Sequence, residues 1–293
     1  MSDNPAVAGV LEMPPNIDTW GEALAWGMAL LDGVSNTPKE DVLRLLTDRH
    51  DLGMMTIHAQ QDLPMPQANK QQLAMDLMLR LQGQPIAYIT QRQDFWAHAF
   101  WVNADVLIPR PDTEVLVTWA LSHSGAKRFL ELGVGSGAVI LSVAKARPSW
   151  SCVGVDVSHQ ALAVARLNRK RLQAPNVQLC QSDWFEALHG QRFDLICANP
   201  PYIAEHDPHL QTGDVRHEPD LALSSGTEGL DAIQHLITCA PLHLSPGGWL
   251  GLEHGHTQAH LVATHMMQHG FTSVETQHDL GGQPRITYGQ WGD

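Results

Sequence analysis

The sequence predicts a doubly wound α/β domain preceded by a small helical domain, on three observations. From Arg128 onward, short apolar runs alternate with helical patterns, the signature of a parallel sheet covered by helices. Before Gln84 the apolar residues recur at helical spacing. Between these stretches the character changes to aromatic and β-branched residues, and prolines follow at Pro109 and Pro111.

Residues 1–15 read as a loose tail and 16–84 as the helical domain. A first helix starts near Asp18-Thr19 and carries Trp20, Leu24, Met28 and Leu31 at helical spacing. A second opens with Thr37-Pro38-Lys39-Glu40, where Thr37 can cap, Pro38 suits the first helical position and Glu40 can close a capping box. Its apolar face is Val42, Leu45 and Leu46. A third spans Gln67 to Leu81 with Leu73, Leu77 and Leu81 on one stripe. Residues 85–106 read as a β-hairpin linker, with Tyr88-Ile89-Thr90 and Phe95–Val102 as its strands around polar Gln91–Asp94. In 107–293 the candidate strands are Arg128–Leu132, Cys152–Asp156, Val177–Cys180, Phe193–Ala198, Trp249–Glu253, Ser273–Glu275 and Arg285–Tyr288. Helices between them include Ser158–Leu172 and Leu230–Ala240.

Composition narrows the function classes. With 43% hydrophobic and 17% charged residues, the chain has a globular balance rather than a disordered or fibrous one. Its net charge of −13 argues against gripping a phosphate backbone over a broad surface, and no stable nucleic-acid binding is expected. No apolar run approaches the ~20 residues of a bilayer span. Met1–Asn16 has neither the basic segment nor the apolar core of a signal peptide. Cys152, Cys180, Cys197 and Cys239 form no CxxC, and three lie in apolar runs. They read as small core residues in a reducing compartment, so a cytoplasmic protein with no membrane association is expected. Glu253-His254-Gly255-His256, with His260 beyond, places no third metal ligand at a known spacing. Surface or capping histidines are expected there, and no metal.

The chemistry gathers at strand ends. The first α/β strand turns through Gly133-Val134-Gly135-Ser136-Gly137 into an apolar helix, so a ligand can approach the backbone closely. The loop lacks the Lys-Ser/Thr of a phosphate-binding P-loop and is tighter than GxGxxG. The second strand ends in Asp156, where a carboxylate can accept from both hydroxyls of a ribose. The third is followed by Asp183-Trp184, a carboxylate and an aromatic near the adenine position. Asp156 could alternatively cap the next helix, and Trp184 could be core. Together they suggest an adenosine pocket, and S-adenosylmethionine fits better than NAD because nothing need cradle a pyrophosphate.

Asn199-Pro200-Pro201-Tyr202 follows the apolar strand Phe193–Ala198 directly. The prolines stiffen the loop and remove two backbone donors. The Asn199 side-chain oxygen and the Pro200 carbonyl can then accept both hydrogens of a planar NH2 group, with Tyr202 as an aromatic wall. This is a clamp for an amino group conjugated to a carbonyl or a ring.

At this point the chain resembles the HemK/PrmC-type release factor glutamine methyltransferases. The likeness runs from about Gln84 to Tyr288. It rests on Gln84-Pro85-Ile86-Ala87-Tyr88-Ile89, Phe95-Trp96, Leu107-Ile108-Pro109-Arg110-Pro111-Asp112-Thr113-Glu114, the glycine loop, Asp183-Trp184-Phe185 and Asn199–Ile203. Glu218-Pro219, Ala222-Leu223, Gly229-Leu230-Asp231 and Pro246-Gly247-Gly248 extend it.

The resemblance implies a Rossmann-like class I fold that uses S-adenosyl-L-methionine. It further implies methylation of the side-chain amide nitrogen of the glutamine in the Gly-Gly-Gln motif of class 1 peptide chain release factors. Gly133, Val134, Gly135, Ser136, Gly137, Asp156, Asp183, Trp184 and Asn199 would then bind cofactor. Asn199, Pro200, Pro201 and Tyr202 would bind substrate, with Asn199, Pro200 and Tyr202 catalytic.

The sequence departs from the family pattern at Val134, where Thr is usual, and at Asp112, where Glu is commoner. Asp279-Leu280-Gly281-Gly282-Gln283-Pro284-Arg285 lacks one arginine of the family's pattern and creates an internal Gly-Gly-Gln. Adenine amino methylation in DNA or RNA, glutamine methylation of a ribosomal protein and a non-catalytic binding module remain as alternatives. The compact basic cluster Arg166, Arg169, Lys170 and Arg171 reads as a solvated helix face.

Overall fold

The computed structural model describes residues 11–49 and 53–292. Of the tail expected over 1–15, residues 1–10 lie outside the described residues. The chain divides into two compact units, Met1–Arg92 and Gln93–Asp293.

The first unit is helical, with α1 (Trp20–Leu31), α2 (Pro38–Asp48), α3 (Met54–Ala59), α4 (Gln67–Leu81) and α5 (Ile86–Thr90). α1 starts where expected because Thr19 Oγ1 accepts from the Glu22 amide while the Glu22 carboxylate accepts from the Thr19 amide. The apolar stripes of the helices meet in one core that includes Trp20, Leu31, Leu45, Leu46, Leu73 and Leu77.

Two expectations are corrected here. Thr37 makes no capping bond, because its backbone at φ −134°, ψ 57° is out of the extended geometry that aims a capping oxygen at the helix amides. Its hydroxyl donates instead to Asp41 Oδ1 at 3.4 Å. The strand expected at Tyr88-Ile89-Thr90 is helix α5, which begins after Pro85 and ends at Gln91 with φ 55°. Ile86 and Ile89, one helical turn apart, are both buried in the helical core. That burial outweighs the β preference of the segment.

The hairpin lies later than expected, as β1 (Arg92–Phe95) and β2 (His98–Trp101). The body then alternates: α6 (Glu114–Ser122), β3 (Arg128–Leu132), α7 (Ala138–Ala146), β4 (Ser151–Asp156), α8 (His159–Leu172), β5 (Val177–Gln181) and β6 (Phe193–Ala198). It closes with α9 (Asp231–Cys239), β7 (Leu244–Glu253), α10 (Ala259–Gln268), β8 (Phe271–His278) and β9 (Pro284–Trp291). The seven-stranded sheet has the order β5-β4-β3-β6-β7-β9-β8. β3 pairs in parallel with β4 on one side and β6 on the other, while β9 runs antiparallel to both β7 and β8.

Because the chain winds outward from β3 in both directions, β3 and β6 flank the switch point, and a crevice opens at their carboxyl ends. Beneath it, Leu130, Leu132, Val155, Ile196, Ala198 and Leu252 form part of a buried core. Cys152 and Cys197 are buried, whereas Cys180 and Cys239 are partly exposed. No described helix is long and apolar enough to cross a membrane.

Candidate active site

The glycine loop leaves β3 with Gly133, Gly135 and Gly137 at φ 71°, 51° and 82°. A side chain at Gly135 would meet nothing within 4 Å, so the positive φ alone demands glycine there. The loop is tied down from several directions. The Gly133 and Val134 amides donate to the Val155 carbonyl at 2.9 and 3.0 Å, and the Gly135 amide donates to Asp156 Oδ2 at 2.9 Å. Asn168 Nδ2 donates to the Ser136 carbonyl at 2.9 Å, and Glu131 Oε2 accepts from the Ile140 amide at 2.7 Å. Sequence reasoning missed both Asn168 and Glu131. The available signal for Glu131 was an acidic residue inside an apolar strand, and it is only 3% exposed.

A cavity of about 530 Å³ opens beside this loop. Of the expected residues, Gly133 to Ser136, Asp156, Asp183, Trp184, Asn199 and Pro201 line it. Gly137, Pro200 and Tyr202 do not. Gly137 instead caps α7 in the left-handed conformation. Asp156 Oδ1 accepts from the Ser158 amide at 2.9 Å, and the Val157 amide also acts on this carboxylate. Burial pushes its carboxyl above the ordinary range, against the pull of these amides. The Trp184 ring lies beside Gly133, where an added Cβ would be 3.7 Å from it. It lines the cavity and also packs on the core. A carboxylate for a ribose, an aromatic face and an open glycine backbone suit an adenosine-bearing cofactor.

On the acceptor side, Asn199 Nδ2 donates to Thr113 Oγ1 at 3.2 Å. Asn199 itself lines the cavity. Tyr202 is held differently from the expected aromatic wall. Its hydroxyl donates to Glu253 Oε1 at 3.4 Å, and its carbonyl accepts from Gln258 Nε2 at 3.0 Å. Burial raises the Tyr202 phenol well above its ordinary value and pushes Glu253 from 4.5 up to about 7. Glu253 itself is 1% exposed.

His254, expected at the surface or as a cap, is fully interior. Its Nε2 lies 2.8 Å from Thr287 Oγ1 and its Nδ1 2.9 Å from the Gly255 carbonyl. Strand pairing of Glu253 with Ile286 draws the neighbouring histidine under β9. Among the described residues, no group of three or more His, Cys, Asp or Glu side chains is arranged to hold a metal.

Three further ion pairs tie these segments together. Arg110, on the cavity wall, meets buried Glu218 at 2.5 Å. Arg285 reaches Asp112 at 3.1 Å and Asp279 at 3.0 Å, so the remaining arginine of the β8–β9 turn is engaged within the protein.

Residues 22–90 match the family described as PrmC N-terminal domain, and 111–215 match Methyltransferase small domain. The release factor glutamine methyltransferase of Salmonella typhimurium is 43% identical over 88% of this chain and 94% of its own length. That of Pseudomonas aeruginosa is 48% identical over 72% and 78%, and that of Escherichia coli 40% over 88% and 94%. Among solved structures, a methyltransferase from Pyrococcus furiosus aligns with a TM-score of 0.52 at 19% identity, covering 66% of this chain and 89% of its own. The human Mettl16 catalytic domain, in complex with an RNA hairpin, aligns at 0.56 and 13% identity, covering 74% and 80%. These structural likenesses show the fold, a class I methyltransferase sheet. Identity of 40% and above across most of two full-length relatives shows the family: the chain belongs to the release factor glutamine methyltransferases.

Proposed function

We propose that this protein transfers a methyl group from S-adenosyl-L-methionine to the side-chain amide nitrogen of the glutamine in the Gly-Gly-Gln motif of class 1 peptide chain release factors. The observation that carries the reading is Asn199 on the cavity wall with its Nδ2 donating to Thr113 Oγ1, which favours its Oδ1 as an acceptor for substrate. When bound, the cofactor supplies an electrophilic methyl group on a sulfonium. Gly133 to Ser136, Asp156, Asp183 and Trp184 would hold it by backbone approach, hydroxyl acceptance and an aromatic face.

An amide nitrogen is a poor nucleophile because its lone pair is delocalised into the carbonyl. Asn199 Oδ1 and the Pro200 carbonyl accept its two hydrogens, fix its plane and strengthen as the nitrogen becomes positive. Pro201 stiffens this loop, and Tyr202 backs it from Glu253.

The helices of 16–84 serve as the substrate-recognition part, since a single glutamine offers little binding surface. The reaction belongs to the cytoplasm. Nucleic acid is disfavoured as a substrate by the net charge of −13. In the α8 cluster, moreover, Arg169 spends its guanidinium on the Ala174 and Pro175 carbonyls.

The test is a radiolabelled methyl-transfer assay on release factor, its loop Gln→Asn variant, tRNA and DNA. Label on the wild-type factor alone is expected. Label on nucleic acid instead would keep the amino-clamp chemistry and overturn the substrate.

A further inference from the structure

We propose that Gln258 is a positioning residue for the acceptor clamp, holding the Tyr202 carbonyl so that the Pro200 carbonyl keeps one direction. This rests on the methyl-transfer reading above and names a residue that it does not use.

Between Asn199 and Tyr202 the backbone has little freedom of its own. Pro200 and Pro201 lock their φ angles. Asn199 and Pro200 each precede a proline, which confines their ψ angles to the extended region. The soft torsions left are ψ of Pro201 and φ of Tyr202. Whatever holds Tyr202 therefore decides whether the Pro200 carbonyl is fixed or swings about the end of β6.

Tyr202 is held at both ends. Its hydroxyl donates to Glu253 Oε1 at 3.4 Å, a long bond. Its carbonyl accepts from Gln258 Nε2 at 3.0 Å, the shorter of the two. The same Nε2 also donates to the Glu228 and Gly229 carbonyls at 3.3 and 3.4 Å. At the other end of the side chain, Gln258 Oε1 accepts from the Gly255 amide at 2.9 Å. Three acceptors on one side and a donor on the other settle which end of this amide turns to Tyr202. Gln258 is itself rooted in α10, where its backbone carbonyl accepts from the Val262 amide at 3.0 Å.

Gly229 permits the close approach, because an added Cβ would collide with the Tyr202 carbonyl oxygen. Just beyond, the Ile203 amide donates to the Leu223 carbonyl and the Ser225 amide to the Ile203 carbonyl, both at 3.0 Å. Ser224 and Ser225 line the cavity, so the hold of Gln258 extends through the loop to the cavity wall.

The test uses the full chain with Gln258→Glu and Gln258→Met. Gln258→Glu keeps the shape and an acceptor for the Gly255 amide and removes the donor to Tyr202. Gln258→Met removes both polar ends without adding charge, and decides the matter should Gln258→Glu not fold. The chain has 3 tyrosines, so isotope labelling of the tyrosine carbonyl carbon gives few signals, and Tyr202→Phe identifies the one from Tyr202. That signal is read in the ligand-free enzyme, beside kcat and KM for release factor and calorimetric cofactor affinity.

The Tyr202 carbonyl signal should move in both variants while those of Tyr88 and Tyr288 stay in place. Turnover should fall roughly 10- to 100-fold, the scale of a small misplacement at a reacting group. Cofactor affinity and KM should stay nearly unchanged. An unmoved Tyr202 signal, or a moved signal with full kcat, would overturn the proposal. A wild-type enzyme that labels no release factor would sink the parent reading instead, and the carbonyl signal would still decide whether Gln258 holds the loop.

Discussion

Arg110 Nη2 stands 2.5 Å from Glu218 Oε1, and the carboxylate it meets is wholly buried while the arginine is one-third exposed. The pair joins the proline-rich stretch before α6 to the segment beyond the Asn-Pro-Pro-Tyr loop. Burial pushes Glu218 from 4.5 up to about 7, with the Arg110 charge opposing it.

A consequence for stability follows from that displacement. Between pH 4.5 and about 7 the folded state keeps a proton that the unfolded chain releases. The folded state binding more protons means that stability falls as pH rises through this window and changes no further above it. Glu253 acts in the same sense over the same range. Thermal unfolding from pH 4.5 to 7.5 should therefore show a smaller decline in Tm for Glu218→Gln than for wild type. Arg110→Met leaves the buried carboxylate without its partner and should cost about 1–3 kcal/mol near pH 7 and less near pH 5, below the fully buried case because Arg110 is partly exposed.

Asn199→Ala should leave cofactor affinity nearly unchanged, because the glycine loop, Asp156 and Trp184 are untouched. Turnover should fall by about 100- to 1000-fold, since one of two acceptors for the amide hydrogens is gone. Calorimetric cofactor binding beside kcat separates the two effects. Weakened cofactor binding with normal turnover at saturation would remove Asn199 from the clamp.

Gly154→Ala should destabilise the fold by about 1–3 kcal/mol through overpacking. An added Cβ would stand 2.7 Å from Val134, 2.9 Å from Ile140 and 3.0 Å from Leu179. Because Val134 belongs to the cofactor loop, cofactor affinity should also weaken. Denaturant unfolding and cofactor titration read the two consequences on the same variant.

Gln283, in the internal Gly-Gly-Gln, should carry no methyl group after incubation with cofactor. Its amide donates to Asp279 Oδ1 at 2.9 Å and its carbonyl accepts from the Asp279 amide at 2.9 Å, closing a tight turn between β8 and β9. A backbone held at both ends does not extend into a clamp. Peptide mass analysis checks this, and a gain of one methyl on Gln283 would refute it.

Periodicity alone located α4 at Gln67–Leu81 and strands β3 and β6 with their observed bounds. These segments share a property: the residues that must be buried already follow the element's own spacing, so local pattern and tertiary demand agree. β8 and β9 proved longer than expected, at Phe271–His278 and Pro284–Trp291, because their pairing extends into polar positions. The Ile86–Thr90 segment failed for the opposite reason. Its residue types favour a strand, while the helical core it joins needs Ile86 and Ile89 on one side.

The site divides along the same line. The sequence by itself determined the glycine loop, Asp156, Trp184 and the Asn-Pro-Pro-Tyr loop, because each sits where a strand ends and the chemistry is local to a few consecutive residues. Only the tertiary structure decided that Tyr202 turns to Glu253, that Asn199 donates to Thr113, and that Arg110 meets Glu218. Those contacts join residues 51 to 108 positions apart, and a buried carboxylate finds its partners only when the sheet brings its strand ends together.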